Sequence, residues 1–247
     1  MVLVPAVIGA PPTLIRVREQ PEQQPPPVQR LRVRYAKRGR LRFTSHRDFS
    51  RAFERALVRA RVPMAYSSGF NPHPRISYAG AAPTGAASEA EYLEIGLATR
   101  VAPDDVRRDL DAALPPGLDV VAVAESPGGA LADLLTASRW RIDTQADPDE
   151  LQTAVAAFLA AESVPVERMT KKGMREFDSR AAVHTLVAEG PALELLLHHT
   201  VPAVRPDDVL TGVLRVGDLE VPGAPVLTRT AQGVLDPETG ELADPLD

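Results

Sequence analysis

The chain has 247 residues, 44% hydrophobic and 25% charged, ordinary for a globular protein with room for one or two domains. It contains no cysteine, which excludes disulfides, thiolate zinc sites, a cysteine nucleophile and any Cys-ligated iron–sulfur cluster within this chain. The net charge of −5 hides an asymmetry: between Arg30 and Arg75 twelve arginines and Lys37 stand against only Asp48 and Glu54, so that segment carries +11 and the remainder −16.

Residues 1–29, with Pro21, Pro25, Pro26 and Pro27 around Gln23 and Gln24, read as a disordered Pro/Gln-rich tail. The apolar stretch Met1–Ala10 has no Lys or Arg ahead of it, unlike a secretory signal. No apolar run approaches the roughly 20 residues of a membrane-spanning helix, so a cytoplasmic protein is expected.

From Leu31 to Phe43 the pattern alternates, with Leu31, Val33, Tyr35, Leu41 and Phe43 on one parity and Arg32, Arg34, Arg40 and Arg42 on the other. Period-two alternation predicts half-buried strands, broken at Lys37-Arg38-Gly39, with one apolar face and one almost wholly of arginine. A helix follows. Ser45 with Asp48 approximates a capping box, and Phe49, Ala52, Phe53, Ala56, Leu57 and Ala60 form an apolar stripe. Arg47, Arg51, Arg55 and Arg59 recur every four residues on another face, and Pro63 closes the region.

After a Pro/Gly-rich loop from Gly69 to Gly85, Tyr92–Leu97 reads as a strand, Pro103-Asp104-Asp105 as a helix start, and Leu118–Val123 as a buried strand. The order β-α-β-β-α-β is ferredoxin-like. The second half echoes it: Val101-Ala102-Pro103-Asp104-Asp105-Val106 recurs as Val204-Arg205-Pro206-Asp207-Asp208-Val209. A strand at Ser138–Asp143 and a helix capped by Asp147 follow the same offset. The expected fold is therefore α+β, two tandem ferredoxin-like subdomains with antiparallel sheets. Their bounds are 30–128, basic and carrying the Ser45-His46-x-Asp48 and Gly69–Pro74 motifs, and 129–220. Residues 221–247 are expected to be a flexible acidic tail.

Local acids cannot neutralise the arginine stripe, because Glu54 is the one acid near it after the cap. Either a polyanion or the acidic second half of the chain would have to compensate it. Arginine grips phosphates bidentately and stacks on bases, which suits RNA. The predicted RNA- and phosphate-binding set is Arg32, Arg34, Lys37, Arg38, Arg40, Arg42, Arg47, Arg51, Arg55, Arg59, Asn71, His73 and Arg75, continued by Lys171, Lys172 and Arg175 in a second basic turn. In Gly69-Phe70-Asn71-Pro72-His73-Pro74, glycine frees the backbone while the prolines stiffen it. Such a loop either displays Asn71, His73 and Arg75 to a phosphate or base edge, or is simply a structured turn. His46, at a helix entry, and His73 are candidate acid/base groups, although a helix-entry histidine more commonly packs. His198 and His199 would lie on opposite faces of a strand, and no metal site is expected.

Thr44-Ser45-His46-x-Asp48, the Gly69–Pro74 loop and Ser88-Glu89-Ala90-Glu91-Tyr92 together resemble the bacterial radical-SAM-linked protein family, a domain of unknown function. The resemblance is strongest over residues 30–125. That family is found fused to, or encoded beside, cobalamin-binding-type radical-SAM proteins, and actinobacterial members often neighbour genes for ribonuclease E/G and large-subunit ribosomal proteins. Arg47 departs from it, standing where an apolar residue is common. The resemblance implies a radical-SAM partner carrying the iron–sulfur cluster, SAM and cobalamin, an RNA or ribosome context, and no assigned catalytic residue.

The resulting expectation is an RNA-binding accessory protein for rRNA or tRNA modification. Two alternatives stay open: a metal-independent endoribonuclease of ferredoxin-like type using His46 or His73, and a protein–protein adaptor without RNA binding.

Overall fold

The computed structural model describes residues 23–170 and 173–247. The first half runs β1 (Gln29–Lys37), a 3-10 turn (Gly39–Phe43), α1 (His46–Arg59), β2 (Ile76–Ala79), β3 (Ala87–Leu97), α2 (Pro103–Ala113) and β4 (Leu118–Glu125). The second half runs β5 (Ala137–Asp143), α3 (Pro148–Ala160), β6 (Pro165–Thr170), β7 (Gly173–Asp178), β8 (Val183–Glu189), β9 (Ala192–His198), α4 (Pro206–Val216), β10 (Val226–Leu235) and β11 (Leu242–Ala243).

One large sheet holds both halves in the order β4-β1-β3-β10-β5-β9-β8, and β6 and β7 form a separate hairpin. Every pairing is antiparallel except β3 with β10, which are parallel through Ala87–Thr228 and Ser88–Arg229. β3 gives one edge to β1 and shares the other, pairing with β10 at its start and β2 from Tyr92 to Ile95.

The helices start where local chemistry dictates. The Ser45 hydroxyl accepts from Asp48 N at 3.2 Å and donates to its carboxylate at 2.7 Å, while Asp147 accepts from Asp149 N and Glu150 N. α2 and α4 each open on Pro-Asp-Asp, which spares a backbone donor and places carboxylates at the positive end of the dipole. Phe49, Phe53, Ala56 and Leu57 of α1 pack with Val106 and Leu110 of α2 on Leu31, Val33, Leu93 and Ile95 of the sheet. A second core under α3 and α4 gathers Trp140, Ile142, Leu151, Phe158, Leu193 and Val209. A small third cluster of Ala90, Tyr92, Leu131 and Leu135, with Leu246 against it, covers part of the first half's opposite face.

Four expectations need correction. The predicted strand at Leu41 and Phe43 is a 3-10 turn, because Gly39 takes a left-handed φ of 53° and redirects the chain. The Pro/Gly-rich loop contains β2, four residues long. The supposed acidic tail supplies β10, in the middle of the sheet. Its β-branched and apolar residues, Val226, Leu227, Thr228, Thr230, Val234 and Leu235, are outweighed in composition by flanking Pro, Gly and acids. The N-terminal tail, where described, is also tied down: Val28 N donates to Leu97 O at 2.9 Å and Gln24 N to Ser68 Oγ at 2.9 Å. The rest of that tail and Lys171-Lys172 lie outside the described residues.

The His199 ring is held at both nitrogens, with Nδ1 2.7 Å from Leu135 O and Nε2 2.9 Å from Ser138 Oγ. Burial holds its pKa below the ordinary 6.5. The unfolded chain therefore binds the proton more readily, so this group removes stability as pH falls below 6.5 and removes none above it. In urea melts between about pH 5 and 7, His199→Gln is expected to show a shallower loss of stability on acidification than the parent protein.

Candidate functional site

The arginines of β1 do not form an open cationic face. Arg32 is 1% exposed and donates to Pro245 O at 2.8 Å and Gly128 O at 2.6 Å, with Glu94 alongside. Arg34 bonds Glu89 O and pairs with Asp244, and Arg38 pairs with Glu89 and Asp119. Lys37 is buried too, and desolvation lowers its pKa. Arg32, Arg34 and Arg38 are thus engaged within the chain, and Lys37 is closed off from solvent.

The Ser88–Tyr92 motif has a comparable structural role. Glu91 and Arg229 are each 2% exposed and form an ion pair across the β3–β10 seam. Arg229 also reaches Ser88 Oγ at 3.3 Å, Gly80 O at 2.6 Å and Gln232 Oε1 at 3.1 Å, while Glu91 accepts from Ala82 N. Tyr92 donates to Asp244, and burial raises its pKa. Sequence reasoning missed Arg229, yet two acids inside an otherwise buried strand required a counter-charge.

α1 behaves differently. Its Arg47, Arg51 and Arg55 are exposed and make no ion pair or hydrogen bond among the described residues. Arg59 donates to Ala113 O at 2.9 Å, tying α1 to α2. In the turn before α1, Arg40 is exposed and Arg42 stacks its guanidinium 4.6 Å over the exposed Phe43 ring. No acid of the second half pairs with the α1 stripe among the described residues.

His46 is exposed and sits edge-on to Tyr78, ring centroids 4.8 Å apart, which is the packing arrangement expected at a helix entry. His73 projects from the motif loop. Neither imidazole hydrogen-bonds a carboxylate among the described residues, and no three His, Asp or Glu side chains there gather as metal ligands.

The motif loop closes on itself: Ser67 N donates to His73 O at 2.8 Å, and His73 N to Ser67 Oγ at 3.0 Å. Asn71 and Phe70 are exposed on it, and Gly69 takes a φ of 122°, which favours glycine. A cleft lies on each side of Pro74. One, of about 280 Å³, is polar, presenting Arg30, His73, Arg75, Ser77 and Glu94. Gly96 lets the chain close around it, since a Cβ there would stand 3.0 Å from Pro27. The other, of about 380 Å³, runs between α1 and the residues leading into the loop. Tyr66, 42% exposed, lines it and was not singled out in the sequence.

Of the second basic turn, Arg175 is described and lies apart from α1. Arg175 is exposed on the β6–β7 hairpin, whose β6 packs on α4, where Arg168 pairs with Asp208. That hairpin packs with the second half, whereas the α1 stripe belongs to the first.

The described residues thus form a mixed α/β protein with a large, mostly antiparallel sheet, four helices and, among those residues, an arginine face without ion pairs beside a proline-stiffened loop. Residues 30–206 match a family model described as "Uncharacterized protein conserved in bacteria (DUF2344)", and the chain belongs to that family. No curated protein matches it. Among solved structures, a crystal structure of an unknown protein from Galdieria sulphuraria is similar at 14% identity, covering 84% of this chain and 99% of its own, with a TM-score of 0.25. No helix among the described residues is long and apolar enough to cross a membrane.

Proposed function

We propose that this protein is a cytoplasmic RNA-binding accessory subunit that presents rRNA or tRNA to a radical-SAM modifying enzyme. The observation that carries the RNA reading is the division among the arginines: those of β1 are engaged internally, while Arg47, Arg51 and Arg55 of α1 face solvent and make no ion pair among the described residues. Mutually repelling cations four residues apart weaken a helix unless an anion binds there. Three exposed aromatics, Phe43, Tyr66 and Phe70, all belong to the same half, and rings beside arginines are what single-stranded RNA stacks on. The partner part of the reading rests on the sequence motifs. Since the chain has no cysteine, the partner would hold the iron–sulfur cluster, SAM and any cobalamin.

The fold reading that accompanies it is two ferredoxin-like units. The strand orders β4-β1-β3-β2 and β10-β5-β9-β8, with two helices on each, support it. In this reading the β6–β7 hairpin is an insertion in the second unit.

The test is RNA binding by polarisation at several salt concentrations. Replacing Arg47, Arg51 and Arg55 by Ala is expected to weaken binding to rRNA and tRNA fragments alike and to flatten the log–log salt slope by about 2, roughly 0.7 for each phosphate no longer held. Circular dichroism should be unchanged, because none of the three lies on the buried stripe. No binding by the parent protein at low salt would overturn the proposal in favour of a protein-adaptor role.

A further inference from the structure

Glu54 is a carboxylate among arginines that pairs with none of them. It lies on α1 between Arg51 and Arg55, and it makes no ion pair or hydrogen bond among the described residues. A carboxylate in a face that binds phosphates opposes that binding, so electrostatics alone would not place it there. Its position offers a reason: it lines the cleft of about 380 Å³ beside α1, together with Val58, Arg61, Met64, Tyr66 and Pro74.

The cleft has the chemistry of a nucleobase site. Its volume lies within the roughly 300–1,000 Å³ of small-molecule pockets, its walls are apolar, and its polar groups are few. Tyr66 supplies a ring, and Val58, 72% exposed, is an apolar side chain left open to water until something covers it. Arg61 adopts a φ of 53°, a left-handed conformation that glycine would hold without strain. Arg61 is exposed and lines the cleft, so it offers a cation to a nucleotide's phosphate there.

We propose that this cleft takes one unstacked base of the bound RNA and that Glu54 selects guanine. This rests on the RNA-binding reading above. The Watson–Crick edge of guanine offers two adjacent donors, N1–H and the N2 amino group, which a carboxylate accepts side by side. Adenine and cytosine present an amino group beside an acceptor nitrogen, and uracil one N–H between two carbonyl oxygens; each turns a lone pair toward Glu54. The base stacks on Tyr66 and its phosphate meets Arg61. The polar cleft across Pro74, with His73 and Arg75, accommodates the neighbouring phosphate. Glu54 thereby gives sequence preference to a surface whose arginines bind any strand.

The experiment is polarisation binding of labelled heptaribonucleotides at low salt: all-adenosine, and the same strand with a central guanosine, inosine, cytidine or uridine. The guanosine strand is expected to bind about tenfold tighter than the all-adenosine one, with inosine between them because it lacks the N2 amino group. Glu54→Gln should reduce the preference to below about twofold while leaving affinity for the all-adenosine strand equal or slightly higher. Binding of every strand without preference for guanosine, or a preference that survives Glu54→Gln in a protein with the parent circular dichroism, would overturn the guanine assignment. The inosine comparison needs no variant: equal affinity for inosine and guanosine also overturns it. Failure of all the strands to bind would overturn the RNA-binding reading itself.

Discussion

Replacing Arg229 by Met is expected to destabilise the protein by about 3–5 kcal/mol, because it strands a buried carboxylate. Glu91 has its Arg229 partner on β10, 138 residues away in sequence, and both side chains are closed off from water. Removing the guanidinium leaves Glu91 with the Ala82 amide and a more distant Lys37, and also deprives Ser88, Gly80 O and Gln232 of a bond each. The loss should be read as a drop in the urea midpoint by circular dichroism. Adding Glu91→Gln to Arg229→Met is expected to recover part of it, since the uncompensated charge is then gone. If the double variant proved no more stable than the single, the stranded charge would not be what destabilises the protein.

Deleting residues 240–247 is expected to cost about 3 kcal/mol, more than an exposed terminus would. The segment supplies the Pro245 carbonyl to the buried Arg32, the Asp244 carboxylate to Arg34 and Tyr92, and the β11 pairing with β10. It also carries Leu246, packed against Tyr92, Leu131 and Leu135. The part due to Arg32 can be isolated by making the same deletion in an Arg32→Met background. There the deletion should cost about 1–2 kcal/mol less, because no buried cation is deprived of its acceptor. Equal costs in the two backgrounds, measured by urea denaturation, would show that Arg32 does not depend on the C-terminal segment.

Both effects come from residues whose roles were misjudged from sequence for the same reason. Arg32 and Arg34 occupy the polar parity of an alternating strand, and such a parity ordinarily faces water. Here the opposite face of β1 is covered by the chain's last residues, bonded to these arginines from 213 and 210 positions away. The acids at Glu91 and Glu94 point the same way: a charge in a strand buried on both faces implies a partner, but neither spacing nor composition says which. Tyr66 was overlooked because an isolated aromatic before a loop carries no periodic signal; it became notable only when α1 and Pro74 closed a cleft around it.

By itself the sequence determined what depends on neighbours within a turn or two. Ser45 and Asp48 cap α1, the helical stripe from Phe49 to Leu57 buries one face of it, and the two Pro-Asp-Asp openings start α2 and α4, each 11 residues long. Local hydrogen bonds and local amphipathicity are sufficient for these, and the absence of cysteine ruled out thiolate chemistry outright. Only the tertiary structure decided which of the clustered arginines are left open to solvent. That depended on where β10 and the final residues pack, because a guanidinium is available to a phosphate only if no carboxylate or carbonyl of its own chain has already taken it.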